Sequence, residues 1–237
     1  MNENQTDKST ILEAVVQFRF KNRLEIEDVF FTAKTVLHDF SYKKEPILEL
    51  PVAVRETDPK LKYAAYYKFI SDTLTVNISP SMISFSINGF YPGWSQFRAM
   101  IVEKYAQLKE ITSQWETDII SIRYIDFFQN INIFNNISIS VENPNNVCGN
   151  FFQEKRKNYV AEFTCKNSTE VKLQIVNNVS IPTEIDTSEQ GSIIDTDVYT
   201  MNISNNEDAL DRVHEVAKTT FFNILKDEFA EERNLKQ

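Results

Sequence analysis

The residues in this chain best suited to chemistry are carboxylates spaced two apart and arginines set inside apolar runs. In "IIDTDVY" (193–199), Asp195, Asp197 and Tyr199 alternate with Ile194, Thr196 and Val198. In "SIRYIDFF" (121–128), Arg123 and Asp126 interrupt an otherwise apolar stretch. Successive side chains of a strand point to opposite faces. Ile122, Tyr124, Asp126 and Phe128 therefore share one face, and Ser121, Arg123, Ile125 and Phe127 the other. Carboxylate oxygens at i and i+2 can hold a hard cation such as Mg²⁺. Asp126, Asp195 and Asp197 are accordingly a candidate metal set, with Arg19 and Arg123 as phosphate-binding partners in a metal-dependent enzyme acting on a nucleotide or phosphorylated ligand. The plainer alternative is a solvated sheet face, or ion pairs with lysines and arginines on neighbouring strands. We prefer it, and expect no metal.

Other chemistries lack their residues. Four glycines leave no phosphate loop and no dinucleotide fingerprint, and we expect no cofactor. His38 and His214, the only histidines, fall on predicted helices and read as structural or surface residues. No serine sits in a nucleophile elbow, and "HEVAK" is not the H-E-x-x-H of a zincin. Cys148 and Cys165 have no metal-ligand spacing and make no disulfide framework. The triphosphate-tunnel enzymes open on an E-x-E-x-K strand. Here Glu13 is followed by Val15 and Gln17, which removes the metal and phosphate ligands together.

With 25 basic and 34 acidic residues the net charge is −9, which argues against general nucleic-acid binding, since phosphate neutralisation needs clustered cations. No window approaches the ~20 apolar residues of a membrane span, and "MNENQTDKST" has no apolar signal region. The expectation is a cytoplasmic, acidic protein with no membrane contact. Apolar residues at 42%, with 18 Phe and 9 Tyr, suffice for a large core.

The elements follow from periodicity. "ILEAVVQFRF" (11–20) alternates, with Leu12, Ala14, Val16, Phe18 and Phe20 inward. Residues 26–40 carry a helical stripe through Val29, Ala33, Leu37 and Phe40. "PILELPVAVR" reads as an edge strand at best, because of its prolines. "LKYAAYYKF", "TLTVNIS" and "MISFSI" read as strands, the last two joined by a turn at "SPS". A helix starts near Trp94, after Tyr91-Pro92-Gly93. Next come the long strand 117–128 and a strand "ISISV". A hairpin around "NST", a polar loop "IPTEIDTSEQG" and the strand 192–202 follow. The last helix is capped by Asn206 or Ser204, with a stripe running to Phe229. This order predicts an α+β fold: an antiparallel or mixed sheet with three long helices packed on one face, and a diverged two-fold βββα repeat as its further expectation. Residues 1–9 are expected to be a flexible tail. Residues 10–142 and 143–237 are expected to be two halves packed as one unit.

"EAVVQFRF", "YPGWSQF", "IRYIDFF" and "IIDTDVY", in that order, resemble a sporadically distributed family of bacterial conserved hypothetical proteins. Their shared signals are an E-A-V strand, a Y-x-x-W-x-x-F turn-helix and an R-Y-I-(N/D) strand. The resemblance covers nearly the whole chain and implies no activity. It implies that Glu13, Arg19, Trp94, Arg123, Tyr124 and Asp126 form a shared constellation. Its patchy distribution suggests toxin–antitoxin or phage-defence neighbourhoods. Tyr91 joins these residues as part of an aromatic docking turn. Arg19 and Arg123 are expected on adjacent strands, paired with Glu13 or Asp126. The functional expectation is a non-catalytic binding module for a protein partner or a second copy of itself, with a small-ligand or chaperone-like cavity as a further alternative.

Overall fold

The computed structural model describes residues 9–140, 155–165, 168–182 and 188–235. Within them, nine strands form one sheet in which every pairing is antiparallel. The strands are β1 (Ile11–Phe20), β2 (Ser41–Lys44), β3 (Tyr67–Ile70), β4 (Leu74–Ser79), β5 (Met82–Ile87), β6 (Thr117–Gln129), β7 (Asn158–Cys165), β8 (Thr169–Pro182) and β9 (Ser188–Thr200). Their order across the sheet is β2-β3-β4-β5-β1-β6-β9-β8-β7. Around the central β1–β6 pair this order is palindromic: β5, β4 and β3 run outward from β1 as β9, β8 and β7 do from β6. Each three-strand meander is followed by a long helix, α3 (Trp94–Gln107) or α5 (Asn206–Ile224). Element order is thus repeated in space as well as in sequence. The first half adds α1 (Ile26–Val36) and the edge strand β2.

Alternation decides which side is covered. Ala14, Val16, Phe18 and Phe20 of β1 join Ile83 and Phe85 of β5 and Ile120 and Ile122 of β6 in one core. The same core contains Val29 and Ala33 of α1, Phe97 and Ile101 of α3, and Leu210, Val213 and Ala217 of α5. The three long helices therefore lie on one face. Burying side chains of this size contributes roughly 1.5–3 kcal/mol each, which makes a one-residue register slip prohibitive.

Several local expectations are corrected. "PILELPVAVR" is a 3-10 turn (Pro46–Glu49) followed by the short helix α2 (Val52–Thr57), because Pro46 and Pro51 occupy helix-start positions, where no N–H is needed. The edge is instead β2, whose residues are all exposed and carry no alternation to read. Of "LKYAAYYKF" only the last three residues are strand, as the start of Tyr67–Ile70. A bulge between Ile11 and Glu13 turns Leu12 outward, so it is exposed. "ISISV" contributes a single bridge, Ile137 to Leu225, with Val141 outside the described residues. Most of the polar loop's end, Ser188–Gly191, belongs to β9. The last helix is capped by Asn205, whose side chain accepts from the Glu207 and Asp208 N–H groups, rather than by either neighbour. It stops at Ile224, and Phe229 lies on a separate short helix, α6 (Asp227–Glu232). A further short helix, α4 (Lys109–Thr112), follows α3. Residues 1–8 of the expected tail 1–9, and Cys148, lie outside the described residues, and Cys165 is a free thiol. No helix of the described residues is long and apolar enough to cross a membrane.

Candidate functional site

The residues singled out by sequence divide between the two faces of the sheet. Tyr124 and Asp126 project beneath the helices, while Arg123, the neighbour of Tyr124, projects to the open face. Gly93 has φ +91°, a conformation natural to glycine alone, and it turns the chain from Tyr91-Pro92 into α3. This brings Tyr91 against Tyr124 of β6, with Trp94 lining the same cavity. α5 crosses β6 and β9 and presents His214 to the same place.

There the Trp94 and His214 rings stack, with centroids 4.1 Å apart and planes 9° from parallel. One turn after Trp94 on α3, Arg98 reaches the turns of α5 that precede His214 and donates to both Asp211 carboxylate oxygens, at 2.7 and 2.9 Å, and to Glu207 at 3.0 Å. The two contacts hold α3 against α5. Tyr91 and Tyr124 meet edge to face at 5.8 Å, their hydroxyls 3.2 Å apart. The Tyr124 hydroxyl also lies 3.0 Å from His214 Nδ1. His214 Nε2 faces the Glu215 carboxylate at 3.9 Å, which favours a proton on Nε2. Tyr124 then donates to Nδ1 and accepts from Tyr91.

Burial governs the ionisation of these groups. It lowers the His214 pKa to about 4, leaving the ring neutral at pH 7. It raises the Tyr124 and Tyr91 hydroxyls above the ordinary phenol range. Asp126 is 3% exposed. Burial pushes its carboxyl up to about 7, opposed by the hydrogen bond that Thr10 Oγ1 donates at 2.6 Å. Among the described residues Asp126 has no cationic partner. Beside Tyr124 on β9, Thr196 is 1% exposed, and its hydroxyl has no hydrogen-bond partner among the described residues.

These groups border a cavity of about 580 Å³, open to solvent. Phe90, Phe221 and Phe222 extend its apolar wall, and Lys218 and Arg233 stand at the edge. Phe90 is 69% exposed.

The open face holds the rest. Arg123 donates from Nε and Nη2 to the two oxygens of Asp195, at 2.8 and 2.6 Å. This bidentate pairing holds its guanidinium pKa above the usual value. Arg123 therefore pairs with neither Glu13 nor Asp126, although Glu13 lies close enough to add to its field. Arg19 is on the adjacent strand, as expected, but pairs with Gln17 at 2.5 Å and lies over the Tyr63 ring at 5.1 Å. Burial raises the Asp197 carboxyl, opposed by Arg19 and Arg123.

The metal set is also corrected. Asp126 pairs across the sheet with Ile194, and Ile125 with Asp195. Asp126 and the pair Asp195 and Asp197 therefore project from opposite faces and cannot share an ion. No group of three metal-ligating side chains occurs among the described residues. His214 and Thr196 are site residues that the sequence did not assign. Their signal was faint: Thr196 is a polar residue on the apolar side of β9, and His214 lies next to the buried stripe of α5. No protein-family model and no curated protein matches the chain.

Proposed function

We propose that the protein is a binding module whose ligand is a small organic molecule held in the pocket between β6, β9, α3 and α5. The observation that carries this reading is convergence. Tyr91 before α3, Tyr124 and Asp126 on β6, Thr196 on β9 and His214 on α5 come from four segments of the chain and meet at one aromatic-walled cavity. An apolar pocket with a few fixed polar groups is the usual form of a small-molecule site. The two tryptophans provide a built-in test. Trp94 lines the cavity, whereas Trp115 is buried elsewhere and donates its indole N–H to Pro80. In an NMR screen of soluble fragments, ligands should shift the Trp94 indole resonance and leave that of Trp115 in place. A screen in which Trp94 never moves selectively would defeat the reading.

A second reading, an interface with another protein or a second copy, is supported by the other face. Among the described residues no helix packs over β6 and β9 there, and Ile119, Ile125 and Phe127 lie half-exposed among the charges. Light scattering of the purified chain against an Ile125→Lys variant tests self-association. A monomer in both cases removes the second copy as the occupant.

A further inference from the structure

Asp126 is a carboxylate at the wall of a cavity, removed from water, and without a counter-charge among the described residues. Such a group is costly to ionise unless something cationic reaches it. Its surroundings suit an organic cation. Tyr91 and Tyr124 are close enough for its charge to affect both hydroxyls, and Trp94 and Phe90 add further rings. Ring faces attract an ammonium or its N-methylated forms through their quadrupoles. A neutral ligand would leave the carboxyl as it stands, and an anion at that depth would be repelled by it.

The mouth has the opposite sign. Lys218 and Arg233 line it, both exposed, and neither forms an ion pair among the described residues. In a chain of net charge −9, two cations left without carboxylates at the lip of a pocket mark a place for an anionic group. Solvent and salt screen them from the pocket floor, so they do not cancel its preference for a cation.

We infer that the pocket binds an organic ammonium compound, its cationic end against Asp126 and the tyrosine rings, and an anionic group at its outer end beside Lys218 and Arg233. This rests on the pocket being a ligand site and adds the class of ligand.

Three probes that share a benzyl body test it by NMR titration of the full chain at pH 8: benzylammonium, 4-methylbenzoate, and 4-(aminomethyl)benzoate, which carries both charges. Benzylammonium should bind about tenfold more tightly than 4-methylbenzoate, the scale of one charged hydrogen bond. The doubly charged probe should bind most tightly. Asp126→Asn, which keeps an acceptor for Thr10, should remove the advantage of both amines and leave 4-methylbenzoate unchanged. The double substitution K218Q and R233Q should bring 4-(aminomethyl)benzoate down to the level of benzylammonium. If 4-methylbenzoate binds at Trp94 as tightly as benzylammonium, the cation preference is overturned and the pocket reading stands. If the wild-type series shows no Trp94 shift with any probe, the inference falls, and failure of the wider fragment screen would take the pocket reading with it.

Discussion

Asp126 and Asp195 lie on adjacent strands, one residue apart in register, and meet opposite surroundings. Asp195 faces the open side and receives both prongs of Arg123, whose side chain is 47% exposed. Asp126 faces the helices, receives one threonine hydroxyl, and is held near neutrality by burial. Two like carboxylates thus differ because the sheet separates them. On the wet side an ion pair forms with little net effect on stability. On the dry side the charge is suppressed, and the group is left to answer to whatever enters the cavity. A polar residue on a sheet is explained by its face before it is explained by its motif.

The contrast can be broken most directly at Asp126. Its folded pKa, about 7, lies above its unfolded value near 3.9, so the stability it contributes is full below about pH 4 and lost as pH rises through about 7. Urea unfolding should show Asp126→Asn matching wild type near pH 4 and exceeding it above pH 7 by up to about 4 kcal/mol. A difference that does not vary with pH would mean that Asp126 is not in a dry site.

Next in size is the hydroxyl chain. Tyr124→Phe deprives His214 Nδ1 and the Tyr91 hydroxyl of a partner at a buried position, at a cost of about 1–3 kcal/mol. A loss below about 0.5 kcal/mol would show water replacing the hydroxyl.

His214 sharpens the comparison through its opposite sign. Its folded pKa, about 4, is below the unfolded value near 6.5, so its contribution is present above about pH 6.5 and lost as pH falls toward 4. Between those values Asp126 and His214 offset one another. Wild type should therefore respond weakly to pH from 4 to 6.5 relative to Asp126→Asn, whose stability should rise across that window. Parallel profiles would break the assignment.

The smallest effect belongs to the open face. A double-mutant cycle of Arg123→Gln with Asp195→Asn should give a coupling of about 1 kcal/mol or less, shrinking with added salt. A coupling as large as the Tyr124→Phe loss would erase the distinction between the faces.

Much of this architecture was legible. The alternation of "EAVVQFRF" and "SIRYIDFF" sets Phe18 opposite Arg19 and Tyr124 opposite Arg123, because successive strand side chains must point apart. The helix at Trp94 was marked by Pro92 and Gly93, local constraints on φ. Less visible was how far each strand extends: β9 begins at Ser188, in a segment whose polarity reads as loop. Its pairing with β8 recruits those residues, which no local preference would do. The constellation of Glu13, Arg19, Trp94, Arg123, Tyr124 and Asp126 joined residues that the same alternation separates. The metal set depends on the register between β6 and β9, whose paired residues are about seventy positions apart in the chain, and no local pattern carries that register.

Strand faces, the apolar stripes of the helices and the turn before α3 are local properties of the chain. These follow from sterics and periodicity among near neighbours. That His214 stacks on Trp94, that Thr196 and Asp126 border one cavity, and that Arg123 chooses Asp195 are results of the packed fold. Those contacts join segments far apart in the chain, and they exist because burying the helix stripes on the sheet leaves one set of crossings in which the core is filled.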